Sequence, residues 1–178
     1  MSSRQWLELA LYSVPVVLLT FGTWRAMGSV PRTLWRMVAL EASLALVVLE
    51  PQGWFVAPWT PLHVISWTFL LISIYLVVDA VCRLLGLGKP RGWPEKTTVL
   101  VKSGPYRYIR HPMYASLVYF VWGAVLKELF PTGVLLALVA TAAAWASARA
   151  EEAENLRKFG RAYADYATHT KMFVPFIW

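Results

Sequence analysis

The sequence predicts an all-α integral membrane protein with about five transmembrane helices, the last two forming a C-terminal helical hairpin that leads into a polar cytoplasmic tail. Three observations predict it. Of the 178 residues, 58% are apolar and 15% charged, where a soluble domain carries about a quarter charged residues. Apolar runs approach the roughly 20 residues that a helix needs to cross the hydrocarbon core. Basic residues gather in alternate connecting segments, as they do beside a membrane. The single cysteine excludes an intrachain disulfide framework and a CxxC metal site. The net charge of +7 lies between apolar runs rather than over a polar domain, which sets nucleic acid aside as a partner.

The first run, Leu9 to Trp24, follows Arg4 as a signal peptide would, but Trp24 and Arg25 stand where a small-residue cleavage site is needed, so it reads as a retained span. The second, Met37 to Leu49, contains Glu41 and continues through Trp54, Phe55 and Val56 beyond a Pro51-Gln52-Gly53 break. The third, Leu62 to Cys82, is 21 residues long, with His63 near one end and Asp79 near the other. From Arg83 to His111 seven basic residues meet one acid, and Gly86, Gly88, Pro90, Gly92, Pro94 and Pro105 interrupt any long helix. Met113 to Leu126 and Val134 to Ala148 then form the hairpin, joined by Phe130-Pro131-Thr132-Gly133, which has the residues of a tight turn. Arg149 to Trp178 is polar, and Leu156, Phe159 and Tyr163, at spacings of three and four, make its first part helical. The chain divides into an N-terminal three-helix membrane region, residues 1–86, and a C-terminal unit, residues 87–178, with no internal repeat.

Charge orients these spans independently of their apolarity. Arg25, Arg32 and Arg36 lie between spans one and two, seven basic residues follow span three, and five occupy the tail, so that 15 of the 17 basic residues fall in three segments. The turn after span two has none, and the turn after span four has Lys127 beside Glu128. The positive-inside pattern places the N-terminus outside and the C-terminus in the cytoplasm. Trp54, Trp59 and Trp67 around the second outer turn fit an interfacial aromatic belt.

The polar residues suited to chemistry gather on the cytoplasmic side. Pro112 is placed to open span four. Arg110 and His111 then stand at a helix start, where backbone N–H groups and the positive end of the dipole attract anions, with Tyr114 on the same face as His111. That arrangement suits a carboxylate or phosphate; the same two residues also fit interfacial anchors to membrane lipids. A second cluster, Glu151, Glu152 and Glu154, follows Arg149. A short antiparallel hairpin returns its ends to one side of the membrane, which would set Glu151 or Glu152 against Arg110 and His111. The bland reading is a solvated acidic face pairing with Arg157 and Lys158, and for Glu154 it is preferred. The facing clusters suit a zwitterionic ligand that also carries a cation. Gly86-Leu87-Gly88 is ordinary turn chemistry rather than a nucleotide loop. His63 and His169 lack partners at metal spacing and Cys82 reads as a small apolar residue, so no metal site is expected. Acids inside spans are functional candidates by default, which marks Glu41 and Asp79.

These residues carry a family resemblance. Leu100 to Tyr114, in which Gly104-Pro105-Tyr106-Arg107 leads into Arg110-His111-Pro112-Met113-Tyr114, resembles the signature of the isoprenylcysteine carboxyl methyltransferase family. Glu151-Glu152, Leu156, Phe159-Gly160, and Tyr163 and Tyr166 three apart resemble its second block, and Val174-Pro175 its ending. The related phospholipid methyltransferases share the His-Pro-x-Tyr and Glu-Glu elements. The resemblance covers Val99 to Pro175 and implies S-adenosylmethionine as cofactor, with 87–178 as a methyltransferase core whose tail binds it. Tyr106, Arg110, His111, Tyr114, Glu151 and Glu152 are the implied cofactor-binding residues. Two departures stand out: Ser116, where a glycine is common, and Asn155, where an apolar residue is usual. Both bear on the acceptor pocket.

The implied reaction is in-line transfer of the sulfonium methyl to a lipophilic acceptor in the bilayer, such as a prenylcysteine-like carboxylate or a lipid amine, driven by positioning and exclusion of water. A carboxylate needs no general base, whereas an amine or phenol needs one such as Glu152 or His111. Arg83, at the cytoplasmic end of span three, is a candidate partner for an acceptor carboxylate; the bland reading is a snorkelling anchor neutralised by Asp79. Two other readings stand beside this one. One is an NADPH-dependent membrane sterol or steroid reductase, although its cofactor phosphate would favour basic groups where Glu151 and Glu152 stand. The other is a non-enzymatic membrane module in which the charged blocks are anchors.

Overall fold

The computed structural model describes residues 30–49, 60–90 and 97–177, together with Leu7, Ala10, Leu11, Ser13 and Val14. Apart from Ala10, Leu11, Ser13 and Val14, the span expected from Leu9 to Trp24 lies outside the described residues, as does the continuation through Trp54, Phe55 and Val56. The described chain forms α1 (Val30–Leu49), α2 (Pro61–Leu87), a 3-10 turn (Gly104–Arg107), α3 (Pro112–Val125), α4 (Pro131–Phe159) and α5 (Arg161–His169). Among the described residues the one non-helical pairing is a parallel bridge between Ile109 and Lys171. The fold is all-α.

Of these helices α2 and α4 are long and apolar enough to cross a membrane. At 1.5 Å per residue, the 27 residues of α2 and 29 of α4 reach about 40 and 43 Å, against a hydrocarbon core of about 30 Å. The 14 residues of α3 reach about 21 Å. Proline opens each of the three. Pro61 follows the N-cap Thr60, whose hydroxyl accepts from His63 N at 3.3 Å, while Pro112 and Pro131 follow His111 and Phe130. A proline at the first helical position forfeits only an N–H that would lack a helical partner.

Three boundaries differ from the sequence expectation. Helix α1 starts at Val30 rather than Met37, because Arg32 and Thr33 end the apolar run without ending the helix; both are buried. Helix α2 passes Cys82 and Arg83 to Leu87 with Gly86 inside it, and the chain turns at Gly88, whose N–H donates to Leu84 O at 3.1 Å. The reversal between α3 and α4 uses residues 126–130, so Pro131 begins α4 instead of making the turn, and Gly133 lies under the Phe130 ring, which a β-carbon would overlap. Helix α4 then continues without a break from its apolar half through the charged residues to Phe159.

Helix α1 packs along α4, α4 against α3, and α3 against α2, so the α3–α4 hairpin forms the centre of the described bundle. Small residues make these contacts. The buried stripe of α4 is Gly133, Ala137, Ala140, Ala143, Ala144, Ser147 and Ala148, and α1 meets it with Ala39, Ala42, Ser43 and Leu46. In lipid, helix association relies on close backbone approach and interhelical hydrogen bonds, because leaving hydrocarbon gains little. The α2–α3 contact shows both features: Ser66 Oγ donates to Gly123 O at 2.6 Å, and Leu70 and the Ser66 carbonyl leave no room for a side chain at Gly123. Trp122 Nε1 donates to Thr141 Oγ1 at 3.1 Å across the hairpin. The residues that α2 turns outward, including Leu71, Ile74, Tyr75 and Val78, are exposed and apolar. Gly123→Val is expected to separate α2 from α3 and destabilise the bundle by about 1–3 kcal/mol; thermal unfolding in detergent would show a lower midpoint than for Ala124→Gly on the same helix.

Candidate active site

The loop between α2 and α3 reaches the site through a glycine. Gly104 adopts φ +60°, and a β-carbon there would overlap the Arg83 guanidinium. Arg83 Nε donates to Asp79 Oδ2 at 2.6 Å, and Nη1 to Ser103 Oγ at 3.2 Å, so Arg83 braces this loop while Asp79 neutralises it. Tyr108 N and Ile109 N both donate to Pro105 O at 3.0 Å, closing the turn. The C-terminal strap then pairs with it: Lys171 N donates to Tyr108 O, Arg110 N to Lys171 O at 2.7 Å, and His111 N to Met172 O at 3.3 Å.

Arg110 stands at the centre of the arrangement. Its Nε donates to Glu152 Oε1 at 2.7 Å, and its Nη1 donates to the carbonyls of Ala167 (3.1 Å) and Thr170. A cation on the last carbonyls of α5 is also favoured by that helix's dipole. Tyr166 OH donates to Tyr106 O at 2.7 Å, tying α5 to the 3-10 turn. The expected meeting of Arg110 and His111 with Glu151 and Glu152 therefore occurs, but Arg110 holds protein groups rather than presenting its Nε and Nη1 to an anion. The acids are shared out among three cations. Arg32 Nη1 on α1 donates to Glu154 Oε2 at 2.9 Å and lies 3.7 Å from Glu151 Oε2, while Arg149 Nη1 donates to the second oxygen of Glu152 at 3.1 Å. Glu154 thus pairs with α1 and not with Arg157 or Lys158, as sequence spacing had favoured.

His111 lies between both acids. Its Nδ1 is 3.8 Å from Glu151 Oε1 and its Nε2 is 3.6 Å from Glu152 Oε1, both beyond a hydrogen bond. The residue is 3% exposed, its ring is flanked by Tyr114 and Phe173, and Nε2 has no hydrogen-bond partner. An unpaired buried polar atom costs about 1–3 kcal/mol. The Tyr114 hydroxyl shares a hydrogen bond of 3.2 Å with Ser147 Oγ, which also bonds Arg32 O at 2.9 Å. Glu152 lies beyond the apolar half of α4. Burial pushes its carboxyl up, but the nearby His111 ring, together with the hydrogen bond and charge of Arg110, outweighs this and lowers it to about 2. Burial, reinforced by the Glu152 charge, pushes the Tyr163 hydroxyl well above the usual phenol range, and burial raises Tyr166 similarly.

These groups surround one end of a cavity of about 490 Å³, within the range of small-molecule sites. Tyr106, Arg110, His111, Tyr114 and Glu151 line it. Glu152 does not; it stands behind Arg110 and His111 and positions them. Arg83 also does not reach it, being taken up by Asp79 and Ser103 on the outer side of the loop. The remaining wall is largely apolar, with Leu40 from α1, Val77, Val81 and Leu84 from α2, and Met113 and Leu117 from α3. Asn155, Tyr163 and Tyr166 also line the cavity, and Arg36 and Ser116 join them. Sequence reasoning assigned no role at the site to Arg32, Arg36, Tyr163 or Tyr166. The tyrosines were visible in the second block, but Arg32 and Arg36 carried no signal beyond their charge. Among the described residues no group of three or more His, Cys, Asp or Glu is placed to hold a metal ion.

The fold and the site define a helical protein with membrane-length apolar helices and a ligand-sized cavity lined by both charged and apolar side chains. A profile of the phospholipid methyltransferase family matches residues 61–166, from the first residue of α2 into α5, and the chain belongs to that family. It is the family that sequence reading placed beside the isoprenylcysteine enzymes, and its methyltransferases use S-adenosylmethionine. The chain is also 26% identical over 165 residues to methanethiol S-methyltransferase 1 of Bradyrhizobium diazoefficiens, an alignment that takes in 93% of this chain. The chain spans about half, 52%, of the length of that relative.

The Arg110–Glu152 pair gives the site a pH dependence of defined sign. A carboxyl lowered in the folded state contributes stability that is present above its ordinary pKa and lost as pH falls through the folded value. The wild-type midpoint of unfolding in detergent is therefore expected to fall between about pH 4.5 and about pH 2. Glu152→Gln, already destabilised at neutral pH, should show a much flatter profile over that window; an equally steep profile would place the acid sensitivity elsewhere.

Proposed function

We propose that the protein is a membrane methyltransferase that moves the methyl group of S-adenosylmethionine to a hydrophobic acceptor reaching the cavity from the bilayer. The observation that carries this reading is the cavity itself, lined by Arg110, His111 and Glu151 from the two charged blocks and by apolar side chains of α1, α2 and α3. When bound, S-adenosylmethionine supplies an electrophilic methyl carbon on a sulfonium. The lining fits such a molecule: the Glu151 carboxylate complements a cation, and the His111 and Tyr163 side chains in the same wall supply polar groups. Arg110 and Glu152 hold those groups in place. The apolar lining, built by Leu40, Val77, Val81, Met113 and Leu117, receives the acceptor and keeps water from the reacting atoms.

Basic residues concentrated beyond this end of the bundle support a cytoplasmic side for it, with an N-terminus outside. The sequence resemblance keeps a prenylcysteine-like carboxylate or a lipid amine among the acceptors, and the relative that acts, by its name, on methanethiol adds a thiol. A carboxylate arrives without a proton to lose. An amine or thiol has one, and His111 in the cavity wall is the candidate to accept it. The reductase reading is disfavoured by the commitment of Arg110 Nε and Nη1 to Glu152 and two carbonyls, and by the Glu151 carboxylate in the cavity wall.

Calorimetric titration of the detergent-purified protein is expected to give heat with S-adenosylhomocysteine and none with NADPH. Heat with NADPH alone would replace this reading with the reductase, and heat with neither would leave a non-enzymatic membrane module. His111→Ala and Tyr163→Phe should each weaken S-adenosylhomocysteine by about tenfold, the effect of one hydrogen bond to a buried group. Incorporation of labelled methyl into lipid extracts, compared with methanethiol, sorts the acceptor classes.

A further inference from the structure

A second groove, of about 390 Å³, lies on the outer side of the same loop. One wall is Tyr75 and Leu76 on α2; the other is the loop from Gly104 to Ile109, with Pro175 of the C-terminal strap. The loop separates this groove from the active-site cavity: Tyr106 lines the cavity, whereas Arg107 and Tyr108 line the groove.

From these residues we propose that the groove binds one anionic phospholipid, its phosphate on Arg107 and an acyl chain along the outward face of α2. Depth is the first reason. From Pro61 to Asp79, α2 rises about 28 Å, close to the thickness of a hydrocarbon core, so the Asp79–Arg83 ion pair marks the headgroup level and Tyr75 lies one turn inside it. Charge is the second. Arg107 is exposed and has no carboxylate partner among the described residues; its guanidinium carbon lies 5.8 Å from the centre of the Tyr108 ring. The neighbouring acid, Asp79, is already neutralised by Arg83 at 2.6 Å. Among the described residues the groove therefore offers a positive charge without a competing carboxylate. The third reason is its rim. Tyr75 is 60% exposed, and Phe176, 82% exposed, packs edge-on to Tyr108 at 6.1 Å between ring centres. Aromatic side chains with one apolar and one wet end are enriched at this depth, and Leu71, Ile74 and Val78 continue the apolar face along which an acyl chain would lie.

Native mass spectrometry of the full chain, purified in detergent and given equimolar phosphatidylglycerol and phosphatidylcholine, tests this. Retention of phosphatidylglycerol is expected to exceed that of phosphatidylcholine by about fivefold, the effect of one basic residue at an anionic surface. Arg107→Gln should remove the preference and Arg107→Lys keep it. Unchanged heat of S-adenosylhomocysteine binding in Arg107→Gln would show that the variant is folded, and a loss of that heat in the wild type would count against the methyltransferase reading without touching this one. Equal retention of the two lipids, a preference that survives in Arg107→Gln, or displacement of phosphatidylglycerol by inorganic phosphate would each overturn the proposal.

Discussion

A guanidinium withdrawn from water must have its donors met, and around Arg110 that requirement organises the site. Its side chain is 14% exposed and that of Glu152 12%, and the two lie 2.7 Å apart. Removing one partner of such a pair costs about 3–5 kcal/mol, because the other charge is left buried and unmatched. Nη1 is met by the last carbonyls of α5. One residue thus joins the start of α3 to the charged half of α4 and the end of α5, 42 to 60 residues further along the chain. His111, the next residue, is carried into position by that clamp. Its ring is held by Phe173 and Tyr114, and among the described residues Nε2 has no hydrogen-bond partner.

The clamp works because the hairpin is unequal. Helix α3 has 14 residues and α4 has 29, so α4 runs on past the start of α3 for several turns. The overhang carries Glu151, Glu152, Glu154 and Asn155, and an equal hairpin would have placed these residues in solvent. Here α1 covers them from one side with Arg32, while α5 and the strap cover them from the other. Gly160, at φ +54°, makes the sharp change of direction that folds α5 back over the loop, a backbone conformation that costs other residues more.

Much of this was legible in the sequence. Apolar runs located α2, α3 and the first half of α4, Pro112 marked the start of α3, and the two charged blocks named most of the residues that meet. What was less legible has a common physical cause. Apolar-run reasoning stops at a charge, yet a helix does not: Arg32 and Thr33 belong to α1, whereas the helix expected from Arg149 through Leu156 and Phe159 is indeed the continuation of α4. Arg83 drew attention as a charge at a span end, but its fate depended on Gly104, whose missing side chain lets the guanidinium lie on the loop. Arg32 could not be paired with Glu154 without knowing that α1 packs on α4, because 122 residues separate them.

The same reasoning bears on what selects an acceptor. The charged lining of the cavity comes largely from the two charged blocks, whereas much of its apolar lining comes from α1, which the family profile does not reach, and from α2, which it does. The two departures from the family pattern both face the cavity, and neither adds charge. Ser116 Oγ donates to Met113 O at 2.7 Å in its own helix, so in place of glycine it adds bulk while its donor is already used. Asn155 faces the Tyr163 hydroxyl, a group whose neutral form burial already favours. Both residues alter the shape of the cavity more than its electrostatics, so an acceptor would be chosen here by how it fits the apolar lining.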